Sequence, residues 1–560
     1  MSKSSQDHEF FTPFPAGYKK GRTKYLVIFG TVISGLGKGI VSSSLGLLLQ
    51  THGIEVAPIK FDGYLNQDAG TLNPYRHGEV FVLDDGTECD MDLGTYERFL
   101  DRNLSHYNYL TGGKVFQKVL SKERKGGYLG RDVQFIPHVT GEIKHFLREL
   151  AVRENPDIVA VEVGGTVGDI ENMYFIEAIR QLMYEEGKEN ICFVALTYIL
   201  EPKFLGEQKS KAAQLGIRSL LSLGIQPDII ACRAQNPVTD KIKEKISLYS
   251  NVPLDKVISV HDLDSIYLVP ELLKKEGVDN NIINLLALNS DHKKQRLMFN
   301  RWTKFVNKLK TPKKSVTIGI TGKYTALRDS YASILKALEH AGAEHNCSIQ
   351  IKWIETSNIE TEQDAKKCLR STQGIIVPGG FGKRGTEGKI RCIEYVRKNK
   401  IPFLGICYGM QMAVIEFARN MCGIQDANST EIEPKCKAPV IDVLPEQKKI
   451  EGLGGTMRLG GKNILLKKGT QVHSLYEQDT IRERFRHRYE VNPEYIDLLE
   501  NKGLVFSGKA PKVEIMQTLE LPGHPYFIGT QYHPEYTSRP LKPNPLFIGL
   551  VKASLEYASK

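Results

Sequence analysis

The chain returns again and again to short runs of β-branched and aromatic residues that stop at glycine, proline or charge. "KYLVIF", "IEVAPIKF", "DIVAVEVGG", "NICFVALTYIL" and "PDIIACR" punctuate the first half, with amphipathic stretches between them. Runs that are apolar on both faces belong in a parallel sheet covered on both sides. A second series follows: "SVTIGIT", "SIQIKWI", "GIIVPGG", "IPFLGI" and "YFIGTQYHPE". Between the two series, Leu297, Met298, Trp302 and Val306 recur near helical spacing on a basic background, and Pro312 ends the pattern. The pattern predicts two doubly wound α/β domains, 23–288 and 315–560, joined by a linker helix over 289–314 and preceded by a flexible arm over 1–22. A chain of 560 residues is too long for one core.

Composition narrows the function classes. No apolar run approaches the eighteen or so residues of a membrane span, and the first residues lack the apolar core of a signal peptide. Nine cysteines without a CxxC pair argue against a disulfide framework or zinc site and for a reduced, cytoplasmic setting. A net charge of +10 without a dense basic block and interleaved aromatics suits anionic small molecules better than nucleic acid.

"YLVIFGTVISGLGKGIVSSSLGLLLQ" joins a strand to a helix through glycines. Gly30, Gly35, Gly37 and Gly39 allow a tight turn with inward amides, Lys38 adds a positive charge, and the helix offers its positive dipole end. Together these are the parts of a phosphate cradle. Val41, Leu45 and Leu48 or Leu49 are expected to face inward. An ordinary P-loop has Ser or Thr after its lysine to hold Mg²⁺; here that residue is Gly39. Two acidic groups offer a substitute. In "TECDMDLG", Glu88, Asp90 and Asp92 alternate, and an extended backbone would turn all three to one side. Glu162 interrupts an otherwise apolar strand, where an unpaired carboxylate is costly and calls for a cation. A solvated acidic loop and a Glu paired with a structural Lys remain open beside these readings.

The second half carries a different chemistry. In "IPFLGICYGMQMAVIEFARN" a strand ends at Ile406, Cys407 follows, and Gly409 opens a helix. A thiol on such a turn at a helix N-terminus ionises readily. "QYHPEY" supplies His533 and Glu535, which completes a nucleophile, a base and an orienting group. "VPGGFGKRG" offers amides around Gly379 and Gly380 for an oxyanion hole.

The set of PGG, G-x-C-x-G and HPE resembles the class I glutamine amidotransferases, which release ammonia from glutamine through a cysteinyl thioester. With "HGEVFVLDDG", "DLGTYERFL", "KERKGGYLG", "VQFIPHVT", "EVGGTVGDIE" and "RHRYEVNP", the chain from about Lys24 onward resembles the CTP synthase family. The resemblance implies an N-terminal P-loop-like synthetase (amidoligase) domain and a C-terminal amidotransferase domain. ATP phosphorylates O4 of UTP and ammonia displaces the phosphate to give CTP. It assigns ATP to Gly35, Leu36, Gly37, Lys38, Gly39, Ile40, Lys60 and Asp92, with Lys38 acting on the transferring phosphoryl group and Mg²⁺ on Asp92 and Glu162. UTP falls to Ser34, His77, Lys209, Ser210, Lys211, Ala212, Ala213, Gln214 and Lys245. CTP inhibits by overlapping the UTP triphosphate site, with its base near Asp169, Ile170 and Glu171. Cys407, His533 and Glu535 hydrolyse L-glutamine, held by Gly380, Tyr408, Gly409, Met410, Gln411, Glu431 and Arg488, with the Arg488 fork on its carboxylate. GTP, the activator, is expected near Phe381 and Arg384. The family also implies a homotetramer with filament-forming capacity.

The chain departs from the family in places. Phe29-Gly30-Thr31 stands for T-G-G, Asp62-Gly63-Tyr64-Leu65-Asn66 for D-P-Y-I-N, and Phe485 for a usual His. Lys209-Ser210-Lys211-Ala212-Ala213-Gln214 stands for K-T-K-P-T-Q. Loss of a hydroxyl donor to a charged ligand there is expected to weaken UTP or CTP binding by roughly 1.5–3 kcal/mol. Two other readings stay open at this stage: an amidotransferase with a different acceptor, and a non-catalytic assembly partner of an active relative.

Overall fold

The computed structural model describes residues 13–73, 77–202, 204, 206–322, 328–443 and 457–560, without the side chains of 292–296 and 328. The chain forms two compact units. One takes the chain up to Thr71 together with Asp92–Val306; the other takes Leu72–Met91 together with Asn307–Lys560.

Among the described residues, the first unit is built on seven strands. They are β1 (Lys24–Gly30), β2 (Val56–Asp62), and, after the hairpin strands β3 (Val80–Val82) and β4 (Glu88–Asp90), β5 (Tyr109–Thr111), β6 (Ile158–Val163), β7 (Ile191–Tyr198), β8 (Ile229–Ala234) and β9 (Val257–His261). The order is β5-β2-β6-β1-β7-β8-β9, with every pairing parallel. Alternation along β1 shows why these strands read as continuously apolar. Tyr25, Val27 and Phe29 enter one core, while Leu26 and Ile28 enter another on the opposite face. The sheet is therefore covered on both sides, as such strands require. The helix Lys38–Thr51 has Val41, Leu45, Leu48 and Leu49 all buried.

The second unit continues with β10 (Lys314–Gly322), β11 (Cys347–Glu355), β12 (Gly374–Val377), β13 (Phe403–Ile406), β14 (Ala427–Ser429) and β15 (Ala438–Val443). It is completed by β16 (Arg458–Leu466), β17 (Thr480–His487), β18 (Tyr489–Val491), β19 (Val505–Lys509), β20 (Met516–Glu520) and β21 (Phe527–Thr530). Nine of these form one sheet in the order β11-β10-β12-β13-β21-β20-β19-β16-β17. The pairings are parallel through β21 and antiparallel beyond it. Ile375, Val377 and Phe403 face one core and Ile376, Leu404 and Ile406 another.

The linker pattern forms a helix, His292–Lys310. Trp302, Phe305 and Val306 are buried, while Leu297 is 70% exposed and stands off the buried face.

The expectation of one unbroken first domain over 23–288 did not anticipate where the β3–β4 hairpin sits. It packs within the second unit, along one strand. Asp84 accepts from Arg482 Nε and Nη2 at 3.0 and 2.8 Å. The Val82 carbonyl accepts from Arg484 at 3.1 Å, and Glu88 accepts from Arg486 at 2.7 Å. Gly461 makes the close approach feasible, since a Cβ there would stand 2.8 Å from Asp84 Cγ. Among the described residues, no helix is long and apolar enough to cross a membrane.

Candidate functional site

In the first unit, Lys60, Glu162 and the glycine loop come from the carboxyl ends of three adjacent strands, β2, β6 and β1, where open α/β sheets bind ligands. Gly35 and Gly37 adopt φ of 74° and 83°, which lets the loop reverse into the helix. Lys38 folds back over Gly30, where a Cβ would stand 2.8 Å from its Nζ, and donates to the Gly165 carbonyl at 2.7 Å. Leu36 is buried, whereas Ser34 and Gly35 are exposed and Ile40 half-buried at the loop surface.

The missing hydroxyl has a structural answer. A Cβ on Gly39 would stand 2.7 Å from Asp92 Cγ and closer still to Oδ1. The Asp92 carboxylate occupies the space that a Ser or Thr side chain would fill. Lys60 pairs with Asp92 and lies 3.9 Å from Glu162 Oε1. Burial pushes the Glu162 carboxyl up to about 7, against the pull of Lys60 and Lys38. Burial likewise lowers the Lys38 ammonium, partly offset by Glu162. Tyr96 donates to the second Glu162 oxygen. A buried carboxylate so disfavoured as an anion, next to Asp92, is a donor pair that would suit a divalent cation. No cluster of three or more His, Cys, Asp or Glu forms an all-protein cage among the described residues.

One sequence expectation is corrected here. Glu88, Asp90 and Asp92 do not line up on one side. The strand ends at Asp90 and a helix runs from Met91 to Leu100, so the two-residue alternation stops before Asp92. Glu88 instead pairs with Arg486 in the second unit.

A cavity of about 700 Å³ gathers Lys209, Ser210, Lys211, Gln214 and Lys245, and adds Lys241, Asn236 and Tyr249. Lys211 opens a helix to Ser222. Ala212 does not line this cavity, and Ala213 is fully buried in the core. A threonine at 213 would point inward rather than at a ligand in the lysine cavity, so the expected loss of a hydroxyl contact there does not follow. His77 belongs to the second unit. Asp169, Ile170 and Glu171 are exposed where a short 3₁₀ turn begins.

In the second unit the thiol stands on a strained turn. Cys407 adopts φ 51°, ψ −103° between β13 and the helix Tyr408–Asn420, a conformation costing about 1–3 kcal/mol that surrounding packing must impose. The imposition is visible at Gly409, where a Cβ would stand 2.8 Å from the Val377 carbonyl carbon. His533 Nδ1 lies 2.7 Å from Glu535 Oε1, and Nε2 has no hydrogen-bond partner among the described residues. Burial disfavours the imidazolium, but Glu535 and the neighbouring Cys407 outweigh it and hold the ring at about 10. The raised imidazolium stands beside the sulfur, the pairing of base and nucleophile that thiol hydrolysis of an amide requires.

A cavity of about 110 Å³ is lined by Cys407, His533, Glu535, Gly379, Gly380 and Phe381. Sequence reasoning missed much of the remaining wall, above all Glu79 and Val80 at the start of the hairpin, and with them Ser330, Tyr331, Arg486 and Tyr536. Nothing in the spacing of "HGEVFV" shows that it closes over a thiol some 330 residues later. Of the other expected glutamine contacts, Tyr408 is buried and donates to the Gly382 carbonyl at 2.8 Å. Met410 is in the core, and Gln411 donates to the Tyr489 carbonyl at 2.8 Å. Glu431 accepts from the Gly382 amide at 2.8 Å. None of these, nor Gly409 or Arg488, lines that cavity. Arg384 donates to Ser357 at 3.1 Å. Phe485 is buried, edge-on to Tyr532.

Residues 24–288 match the family described as CTP synthase N-terminus, and residues 326–553 match glutamine amidotransferase class-I. The CTP synthase of Pyrococcus abyssi is 52% identical over 536 residues, covering 96% of this chain and 98% of that protein. That of Methanocaldococcus jannaschii is 51% identical over 537 residues, covering 95% and 98%. A solved glutaminase domain of a Trypanosoma brucei CTPS with bound acivicin is 32% identical, covers 43% of this chain and 94% of that one, and has a TM-score of 0.41. Matches to both family models, together with relatives about half identical over 95% or more of the chain, place this chain in the CTP synthase family.

Proposed function

We propose that the two sites divide the family's reaction, the glycine loop activating UTP with ATP and the thiol supplying ammonia. The observation that carries the first half is the Asp92 carboxylate seated over Gly39 beside Lys38. In this reading the amides of Gly35–Ile40 and the Lys38 and Lys60 ammonium groups hold ATP phosphates, and Lys38 neutralises charge on the group in transfer. Asp92 and Glu162 would hold Mg²⁺, which supplies further charge neutralisation when bound. The triphosphate of UTP rests on Lys209, Lys211, Gln214 and Lys245, with Ser34 contributing. CTP competes there and reaches Asp169, Ile170 and Glu171.

In the second half, the Cys407 thiolate attacks the carboxamide carbon of glutamine. The Gly379 and Gly380 amides receive the oxyanion. As the C–N bond breaks, the His533 Nε2 proton passes to the departing nitrogen, releasing ammonia and leaving a thioester. Neutral His533 then takes a proton from water, whose oxygen displaces the sulfur and gives glutamate. Glu431 and Arg488 are assigned to glutamine, and Phe381 and Arg384 to GTP. The working form is read as a cytoplasmic homotetramer. Purified protein given ATP, Mg²⁺ and UTP is expected to form CTP with either glutamine or an ammonium salt; no product from either source would refute the reading.

Two smaller effects follow. Lys241 faces the same cavity as the assigned triphosphate lysines, so Lys241→Ala is expected to raise the KM for UTP about tenfold. That corresponds to one charge-assisted hydrogen bond of roughly 1.5 kcal/mol. An unchanged UTP saturation curve would remove Lys241 from the site. Glu535 holds the His533 imidazolium up, and the protonated form is the one lost as pH rises. Glu535→Gln is therefore expected to move the alkaline limb of glutamine hydrolysis to lower pH, read from a rate–pH profile. A limb that stays in place shows that another group sets it.

A further inference from the structure

We propose that Tyr536 is a positioning residue for His533, and that its hydroxyl makes the histidine's placement depend on the seated β3–β4 hairpin. The proposal rests on the glutaminase reading of Cys407, and it adds Tyr536 and the hairpin, which that reading does not use.

The His533 ring is confined on every side. Its backbone amide donates to the Arg484 carbonyl at 2.8 Å, and its Nδ1 edge is held by Glu535. Toward Gly379 there is no room for a side chain, since a Cβ there would stand 2.9 Å from Cε1. Its ring stacks on the ring of Tyr536, with centroids 4.9 Å apart and planes only 11° from parallel. Tyr536 is thus the wall that covers the face of the imidazole, as Glu535 holds its Nδ1 edge.

That wall is fixed by the hairpin. The Tyr536 hydroxyl, in a residue only 3% exposed, donates to the Val80 carbonyl at 3.1 Å. Its ring meets Phe81 edge-on at 5.0 Å and 64°. Leaving a buried phenol without an acceptor costs its full desolvation, so the ring's seat is set by where Val80 lies. Val80 in turn lies where Arg482, Arg484 and Arg486 of β17 hold Asp84, the Val82 carbonyl and Glu88. The same strand supplies the carbonyl that accepts the His533 amide. Strand, hairpin, tyrosine and histidine form one closed circuit of contacts, within which the orientation of Nε2 toward the sulfur is determined. A general base contributes only within hydrogen-bond reach of its proton, so a small rotation of this ring is felt in turnover rather than in substrate binding.

Tyr536→Phe keeps both ring contacts and deletes only the tie to Val80. Glutamine hydrolysis is expected to lose about five- to tenfold in kcat with the KM for glutamine unchanged, and its alkaline limb to move to lower pH. CTP formation from an ammonium salt is expected at the wild-type rate, which also verifies folding. Asp84→Asn loosens the hairpin from Arg482 and is expected to slow glutamine hydrolysis severalfold. Added to Tyr536→Phe it should have no further effect, because the link it acts through is already cut. Wild-type kcat and pH profile in Tyr536→Phe, or losses that multiply in the double variant, would overturn the proposal. A wild-type protein that makes CTP from ammonium but never hydrolyses glutamine would instead overturn the glutaminase reading beneath it.

Discussion

The Cys407→Ala protein is expected to make CTP from an ammonium salt at the wild-type rate and to make none from glutamine. Cys407 is the only thiol among the residues lining its cavity, and thioester chemistry needs a sulfur; the Ser330 hydroxyl on the same wall cannot supply one. Removing the nucleophile of a three-residue catalytic set typically costs on the order of 10⁴-fold or more, because base and orienting group act only through it. The substitution itself is mild. Cys407 is 5% exposed, and alanine at φ 51° meets the same backbone strain as cysteine. Parallel assays with the two nitrogen sources decide the matter. If ammonium-driven synthesis falls as far as glutamine-driven synthesis, the thiol does more than supply ammonia and the division of labour proposed here is wrong.

Gly39→Ser is expected to depress CTP formation from both nitrogen sources by about 10²–10³-fold, the scale of losing one preorganised charge-stabilising group. By sequence logic this change repairs the loop, restoring the hydroxyl that an ordinary phosphate-binding helix presents to its metal. The structure reverses that expectation. The serine Cβ would stand 2.7 Å from Asp92 Cγ, displacing the carboxylate from beside Lys60 and Glu162. Glutamine hydrolysis by Cys407 should survive, which separates a local loss from misfolding. A Gly39→Ser protein with full synthetase activity would mean that Asp92 has no role beside the loop.

Much of this protein was open to reading from its residues. The apolar runs that became β1, β2, β6, β7 and β8, and later β12, β13 and β21, were each visible because a strand buried on both faces cannot hide its composition. Gly-x-Cys-x-Gly announced its turn because Gly409 and Cys407 answer to local sterics, and Lys38 and Glu162 stood out as charges in places that tolerate few. The strand-to-helix change within "TECDMDLG" was misread because a three-residue strand and a helix start carry no period long enough to tell apart. Leu297 looked like a core position and is exposed, while Phe305, one residue off the pattern, is buried.

What the sequence determined by itself was everything that depends on neighbours along the chain: which segments are strands, where the backbone must turn on glycine, and which residues carry reactive groups. The tertiary structure alone decided the pairings between distant segments. It brought Asp92 over Gly39, turned Ala213 inward, and laid Val80 and Phe81 against Tyr536 and so against the catalytic histidine. The reason is that such contacts are selected by shape and by the cost of leaving buried polar groups unpaired, quantities that exist only once separate stretches of chain share a core.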